Sequence, residues 1–146
     1  MGSPRRTVLE TLRDAARIIR NSVYFAKRGA INWTVHNFEK HPRAIAVMQD
    51  DAQLFGDQKS GMKFANMSLE MFARMPERLE VPEIDDVLMD EMIDDAYELL
   101  RGLITARDVN DDPVVFKLDQ ASARVIESHD VDLKVQGIVV SFSVTY

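Results

Sequence analysis

Residues 133–146, LKVQGIVVSFSVTY, constrain the fold more than any other stretch of the chain. Ile138, Val140, Phe142, Val144 and Tyr146 alternate with Val139, Ser141, Ser143 and Thr145. Successive side chains of a strand point to opposite faces, so this stretch demands a sheet with one face under helices and one more polar face. Gly137 within it is a candidate bulge. Met62 to Met75 (MKFANMSLEMFARM) repeats the requirement: Ala65, Met67, Leu69, Met71 and Ala73 share one face, while Asn66, Ser68, Glu70 and Arg74 share the other with Phe64 and Phe72. Arg43 to Gln49 (RAIAVMQ), Val114 to Leu118 (VVFKL) and Arg124 to Ser128 read as further strands. The last of these is expected to pair with Leu133–Tyr146 as a hairpin across residues 128–132. Asp50 to Gly61, rich in Asp, Gln, Ser and Gly, reads as a surface loop.

Two amphipathic helices supply the cover. The first is expected to start at Ser3, with Pro4 at the first helical position, and to stop at Gly29. Val8, Leu12, Ala15, Ala16, Ile19, Val23 and Ala26 recur at spacings of three and four and form its apolar stripe, with Arg13, Arg17 and Arg20 off it. Pro76 and Pro82 bracket a connection to the second helix, Asp85 to Leu103, whose stripe is Val87, Leu88, Met92, Ala96, Leu99, Leu100 and Leu103. Its polar face and approach carry nine carboxylates from Glu80 to Glu98 and no basic residue before Arg101. Acids at a helix start suit the helix dipole, but nine exceed what the dipole needs. From Ala30 to His41 the pattern breaks, and Pro42 turns its predecessor away from helix, so this segment is expected to be irregular or partly extended. The fold class is therefore α+β: one domain of 146 residues, an antiparallel β-sheet packed against two amphipathic α-helices.

With 46% hydrophobic and 29% charged residues the chain sits in the ordinary globular range, not the disordered one. It has no cysteine, which removes disulfide frameworks, thiolate zinc sites and cysteine nucleophiles. No apolar run approaches the roughly 20 residues of a membrane-spanning helix, and MGSPRRTVLE lacks the apolar core of a signal peptide, so synthesis in the cytosol is expected. Charge is segregated along the chain. Residues 1–43 hold nine basic against three acidic side chains, +6, so the remainder of a chain with net charge −6 carries −12. The two regions either neutralise each other within one fold or meet between neighbouring subunits; in the second case opposite patches favour head-to-tail docking and discourage like-on-like dimers.

Residues that carry chemistry do not converge. His36, His41 and His129 stand at no metal-pair spacing and read as incidental loop residues. The six glycines are scattered and form no phosphate loop, and the serines sit in no nucleophile elbow. Asp108, Asn110, Asp112 and Asp119 occupy positions 1, 3, 5 and 12 of a calcium-loop template, but Pro113 stands where glycine must turn. A plain helix-to-strand turn is the better reading. The acidic helix admits loose divalent-cation binding, and the basic first helix admits phosphate contacts, yet a pI near 5.0 weighs against nucleic acid.

The order helix, strand, loop, long strand, acidic helix, strands resembles the tail terminator, or tail-completion, family of tailed bacteriophages. The stretches that carry it are TVLETLRDAARII, PRAIAVMQDD, MKFANMSLEMFARMP, DEMIDDAYELLRGLI and, above all, VIESHDVDLKVQGIVVSFSVTY, so it extends over nearly the whole chain. The resemblance implies a structural virion protein: a homohexameric ring that sits on the last ring of the tail tube, ends tube polymerisation and offers a docking surface to the head connector. It implies no catalysis and no cofactor. Its partners would be copies of itself, the tail-tube protein and a head-closure or connector protein, with no membrane and no sequence-specific nucleic acid. For the lateral contact the charge pattern points to Arg13, Arg17 and Arg20 against Asp86, Asp90 and Asp94 of the neighbour. For the tube-facing loop it leaves Leu54, Phe55, Gly56, Asp57, Gln58 and Lys59, within residues 54–61. Alternatives are another neck protein (head closure or stopper), a tail-tube protein, or a small metal-dependent enzyme using the acidic helix.

Overall fold

The computed structural model describes residues 4–53, 63–75, 85–129 and 134–146. Its elements are α1 (Pro4–Ser22), β1 (Tyr24–Arg28), β2 (Arg43–Gln53), β3 (Phe64–Arg74), α2 (Asp86–Thr105), β4 (Lys117–His129) and β5 (Lys134–Thr145). The five strands form one sheet in the order β1-β2-β3-β5-β4. The α+β class holds, but the sheet is mixed, because β1 pairs parallel with β2 while all other pairs are antiparallel. A parallel pair needs a crossover. Residues 30–42 supply it without a helix, which is why this irregular segment exists.

One face of the sheet is dry. Ile45 and Val47 of β2, Met67, Leu69 and Met71 of β3, and Ile138, Val140, Phe142 and Val144 of β5 pack there against Val8, Leu9, Leu12 and Ala16 of α1 and Met92, Ala96, Leu99 and Leu103 of α2. The alternations read from residues 62–75 and 133–146 thus point as expected. On the second face, Phe38, Ile31 and Trp33 of the crossover cover Phe72, Ala44 and Val135. Trp33, His36 and Phe38 all meet the Phe72 ring edge-on, at 5.8, 5.9 and 5.9 Å between centroids. His36 and His41, expected to be incidental loop residues, are joined here: a ring nitrogen of His36 bonds the His41 carbonyl at 2.9 Å, and the Phe25 ring lies tilted against both imidazoles at 5.6 and 5.1 Å between centroids.

Several boundaries move for physical reasons. The first helix does not run to Gly29: right-handed helix breaks at Ile19, and Arg20, Asn21 and Ser22 are left-handed with φ of 44°, 55° and 62°. Val23 and Ala26 suited a helical stripe, but Tyr24 and Ala26 face the core as alternate residues of a strand. The strand read as 43–49 continues to Gln53 through a bulge between Gln49 and Asp51, so the expected surface loop loses its first residues. Val114 and Val115 are buried but not in a strand; β4 begins at Lys117, and its bulge between Asp119 and Ser122 lets it run on through the separately expected strand 124–128. Gly137 is no bulge. It keeps register with Phe72 and Ile126, and a Cβ there would fall on the Met71 carbonyl oxygen and 2.9 Å from Phe72 Cα. Val87 leaves its predicted stripe and is 69% exposed. At the start of α2 the Asp85 carboxylate caps the Leu88 N–H at 3.2 Å, and buried Gln136 of β5 bonds both the N–H and the carbonyl of Asp85.

Candidate functional site

The helices meet at an ionic node. Asp95, 6% exposed, accepts from Arg20 Nε at 2.8 and 3.1 Å with its two oxygens and from the Tyr24 hydroxyl at 2.6 Å. Arg43 Nη2 donates to Glu91 at 2.6 Å, and its guanidinium lies 5.8 Å from the Tyr24 ring centroid, within range of a cation–π contact. Burial, then the hydrogen bond to Asp95, pushes the Tyr24 phenol above its ordinary range. The left-handed turn at residues 20–22 delivers Arg20 into this node. The strained turn and the pair of half-exposed Arg20 with buried Asp95 therefore belong to one device that fixes α1 to α2 and β1. Among the described residues, Arg43 Nη1 is the buried side-chain atom left without a hydrogen-bond partner.

The residues expected at a lateral contact divide accordingly. Arg20 is engaged with Asp95 and Glu91 of its own chain. Arg17 donates through Nε to the Ala26 carbonyl at 3.1 Å, and Arg13 pairs with its neighbour Asp14. Glu10, one helical turn from Arg13 and Asp14, reaches Arg28 at 3.6 Å. Hence Glu10, Arg13 and Arg17 line the flank of α1 that overhangs β1. Asp86, Asp90 and Asp94 are exposed on α2. The expected tube-facing residues, Leu54 to Lys59, lie outside the described residues.

Beside those carboxylates α2 leaves a second, apolar strip bare. Ile93, Tyr97 and Ile104 fall on one side of the helix at spacings of four and seven and are 42, 65 and 54% exposed. The helix covers β5 and reaches only the margin of β4. Beyond it Ala123 and Val125, on the same dry face, are exposed, Val125 to 55%. Sequence periodicity marked the buried stripe of α2 but passed over this strip, because Ile93, Tyr97 and Ile104 stand among Asp90, Asp94 and Arg101.

The two margins of the sheet differ in kind. β1 has five residues, and Arg17 closes its outward carbonyl at Ala26. β4 has thirteen, pairs among the described residues with β5 alone, carries no proline, and is exposed at residues 120–125. The bulge between Asp119 and Ser122 and the charge of Arg124 blunt part of this edge, but residues 122–129 keep regular register and leave a template for another strand. The second face between the crossover and β4 is polar. Ser143 donates to Asn66, Asn66 to Asp51, and Ser68 to Asp50, at 2.6, 2.6 and 3.0 Å. Burial raises the Glu70 carboxyl above its ordinary range, and Arg124 offsets part of that.

The metal questions have geometric answers. One Asp108 carboxylate oxygen accepts from the backbone N–H of Asn110 and Asp112 at 2.8 and 3.0 Å, which makes residues 106–113 the plain turn expected between helix and strand. Among the described residues no group of three or more His, Asp or Glu is placed to hold a metal ion, and no helix is long and apolar enough to cross a membrane. No protein-family model matches the chain, and no curated protein matches it.

Proposed function

We propose that this chain is an assembly subunit that closes into a ring, and that the ring is the tail terminator of a tailed bacteriophage. The observation that carries the reading is the outer side of α2: an apolar strip of Ile93, Tyr97 and Ile104, bordered by Asp86, Asp90 and Asp94, beside an open edge strand. Its complement is on the opposite side of the molecule, where Arg13 and Arg17 line the outer flank of α1. Two different patches on opposite sides are what a heterologous contact needs, and such a contact generates a ring when its rotation closes. Like charge on the α2 patch disfavours two-fold pairing through it. Arg20 drops out of this contact, being held by Asp95. The polar second face of the sheet is the candidate axial surface for a tail-tube or connector protein.

Electron microscopy of the purified protein tests the proposal. Single rings that do not stack are expected, and Asp90→Arg with Asp94→Arg should dissolve them, more readily at low salt where charge repulsion is unscreened. Adding Arg13→Glu and Arg17→Glu should restore them. Stacked tubes would indicate a tail-tube protein instead, and a chain that stays monomeric at high concentration would end the ring reading.

A further inference from the structure

We infer that neighbouring copies join by running one sheet into the next: the open edge of β4 pairs antiparallel with the uncovered half of β2 in a second copy. The inference rests on the ring reading and supplies its backbone contact. β1 covers β2 only from Arg43 to Val47. Gly29 N–H bonds the Val47 carbonyl at 2.9 Å and the chain then turns away, with Gly29 at φ 89°. From Met48 to Gln53, β2 is therefore paired with β3 on one side and, among the described residues, with no strand on the other. The space left there is a groove of about 550 Å³ lined by Leu9, Arg28, Gly29, Met48, Gln49 and Asp50. A strand laid in it would continue the line that β1 begins.

Direction, faces and charge agree on β4 as that strand. β2 and β5 run the same way and β4 runs opposite, so a copy placed alongside presents β4 antiparallel to β2. Continuing a sheet preserves its faces. The helix layer then continues too, with α1 of the second copy beside the bare strip of α2, and with Ala123 and Val125 as the floor between them. On the opposite face Arg124 comes within reach of Asp50 and Asp51 at the β2 bulge, an opposite-charge cross-strand contact. The competing arrangement, two β4 edges related by a two-fold axis, leaves the groove empty and brings the acidic α2 helices together across the axis. Like charges so placed oppose docking.

The chain has no cysteine, so introduced thiols report this contact alone. Val125→Cys is made in one sample and Gln49→Cys, or two positions along the register Ala52→Cys, in another; all three residues lie on the helix-bearing face. After mixing and mild oxidation, the expected product is a disulfide dimer of the two different variants, absent from either sample alone. Arg124→Asp should reduce its yield several-fold, and Asp51→Lys in the partner should restore it. A dimer of Val125→Cys with itself would show two-fold pairing and overturn the inference. Rings visible by microscopy without any mixed cross-link would overturn it and leave the ring reading standing; no rings and no cross-link would end both.

Discussion

Replacing Asp95 by alanine is the most informative perturbation of the fold, because this one carboxylate holds α2 to the strained α1–β1 turn. Its loss leaves the Tyr24 hydroxyl buried without its acceptor, a cost of about 1–3 kcal/mol. The charge pair with Arg20 adds under about 1 kcal/mol, since the Arg20 side chain is 35% exposed and can return to water. Removing the tie also frees the left-handed run at Arg20, Asn21 and Ser22, whose strain of about 1–2 kcal/mol per residue the node now holds in place, so part of the loss is recovered as the turn relaxes. The two losses sum to about 1–4 kcal/mol, and relaxation of the turn brings the balance to about 1–3 kcal/mol. For a chain of this size each kcal/mol moves the melting temperature by about 2–4 °C, which places the shift at about 2–12 °C. Urea unfolding followed by circular dichroism measures it, with Glu98→Ala as the control on the exposed side of the same helix, expected within about 0.5 kcal/mol of the parent. Equal effects for Glu98→Ala and Asp95→Ala, or a loss below about 1 kcal/mol at Asp95, would refute the reasoning. The double variant with Tyr24→Phe should fall short of additivity, because both changes remove the same hydrogen bond.

Two further outcomes concern Tyr24 of the same node and the close approach of β3 to Gly137. The Tyr24 phenol is raised in the fold above its unfolded value near 10, so the stability it contributes is complete below that pH and is lost as pH rises beyond it; unfolding curves from pH 8 to 11 should show a decline that Tyr24→Phe flattens, and identical slopes would contradict the assignment. Gly137→Ala should cost at least about 3 kcal/mol, because the added methyl meets the backbone of β3 and not a side chain that can move; soluble protein with an unchanged urea midpoint would refute this close apposition of β3 and β5.

Local pattern carried far in this chain. The period-two alternation of residues 133–146 and 62–75 determined which side chains face the core, because a strand has no other way to separate apolar from polar residues. The spacing of Val8, Leu12 and Ala16 and of Met92, Ala96, Leu99 and Leu103 determined two helices and the faces they bury, and Asp85 marked a helix start to within a residue. The charge segregation was legible as well, although which charges remain outward was not: Arg20 and Arg17 read as equivalent surface residues, yet one is bound by Asp95 seventy-five positions away and the other closes a strand edge.

What periodicity left open is everything set by contacts distant in sequence. Val23 to Ala26 satisfies a helical stripe and a short strand equally well, and only the presence of Arg43–Val47 alongside, with Asp95 waiting for Arg20, selects the strand. The crossover of residues 30–42 has no period of its own; its order comes from Phe72, a residue of another element, and with it comes the parallel pair that makes the sheet mixed. Gly137 is required by the approach of β3, which no reading of β5 alone contains. The edges of the sheet are likewise a tertiary property. A strand pattern states which faces are dry, whereas which strand stands last, and how far its neighbour covers it, depends on the pairing of the whole sheet, since backbone hydrogen-bonding groups are the same in every residue but proline.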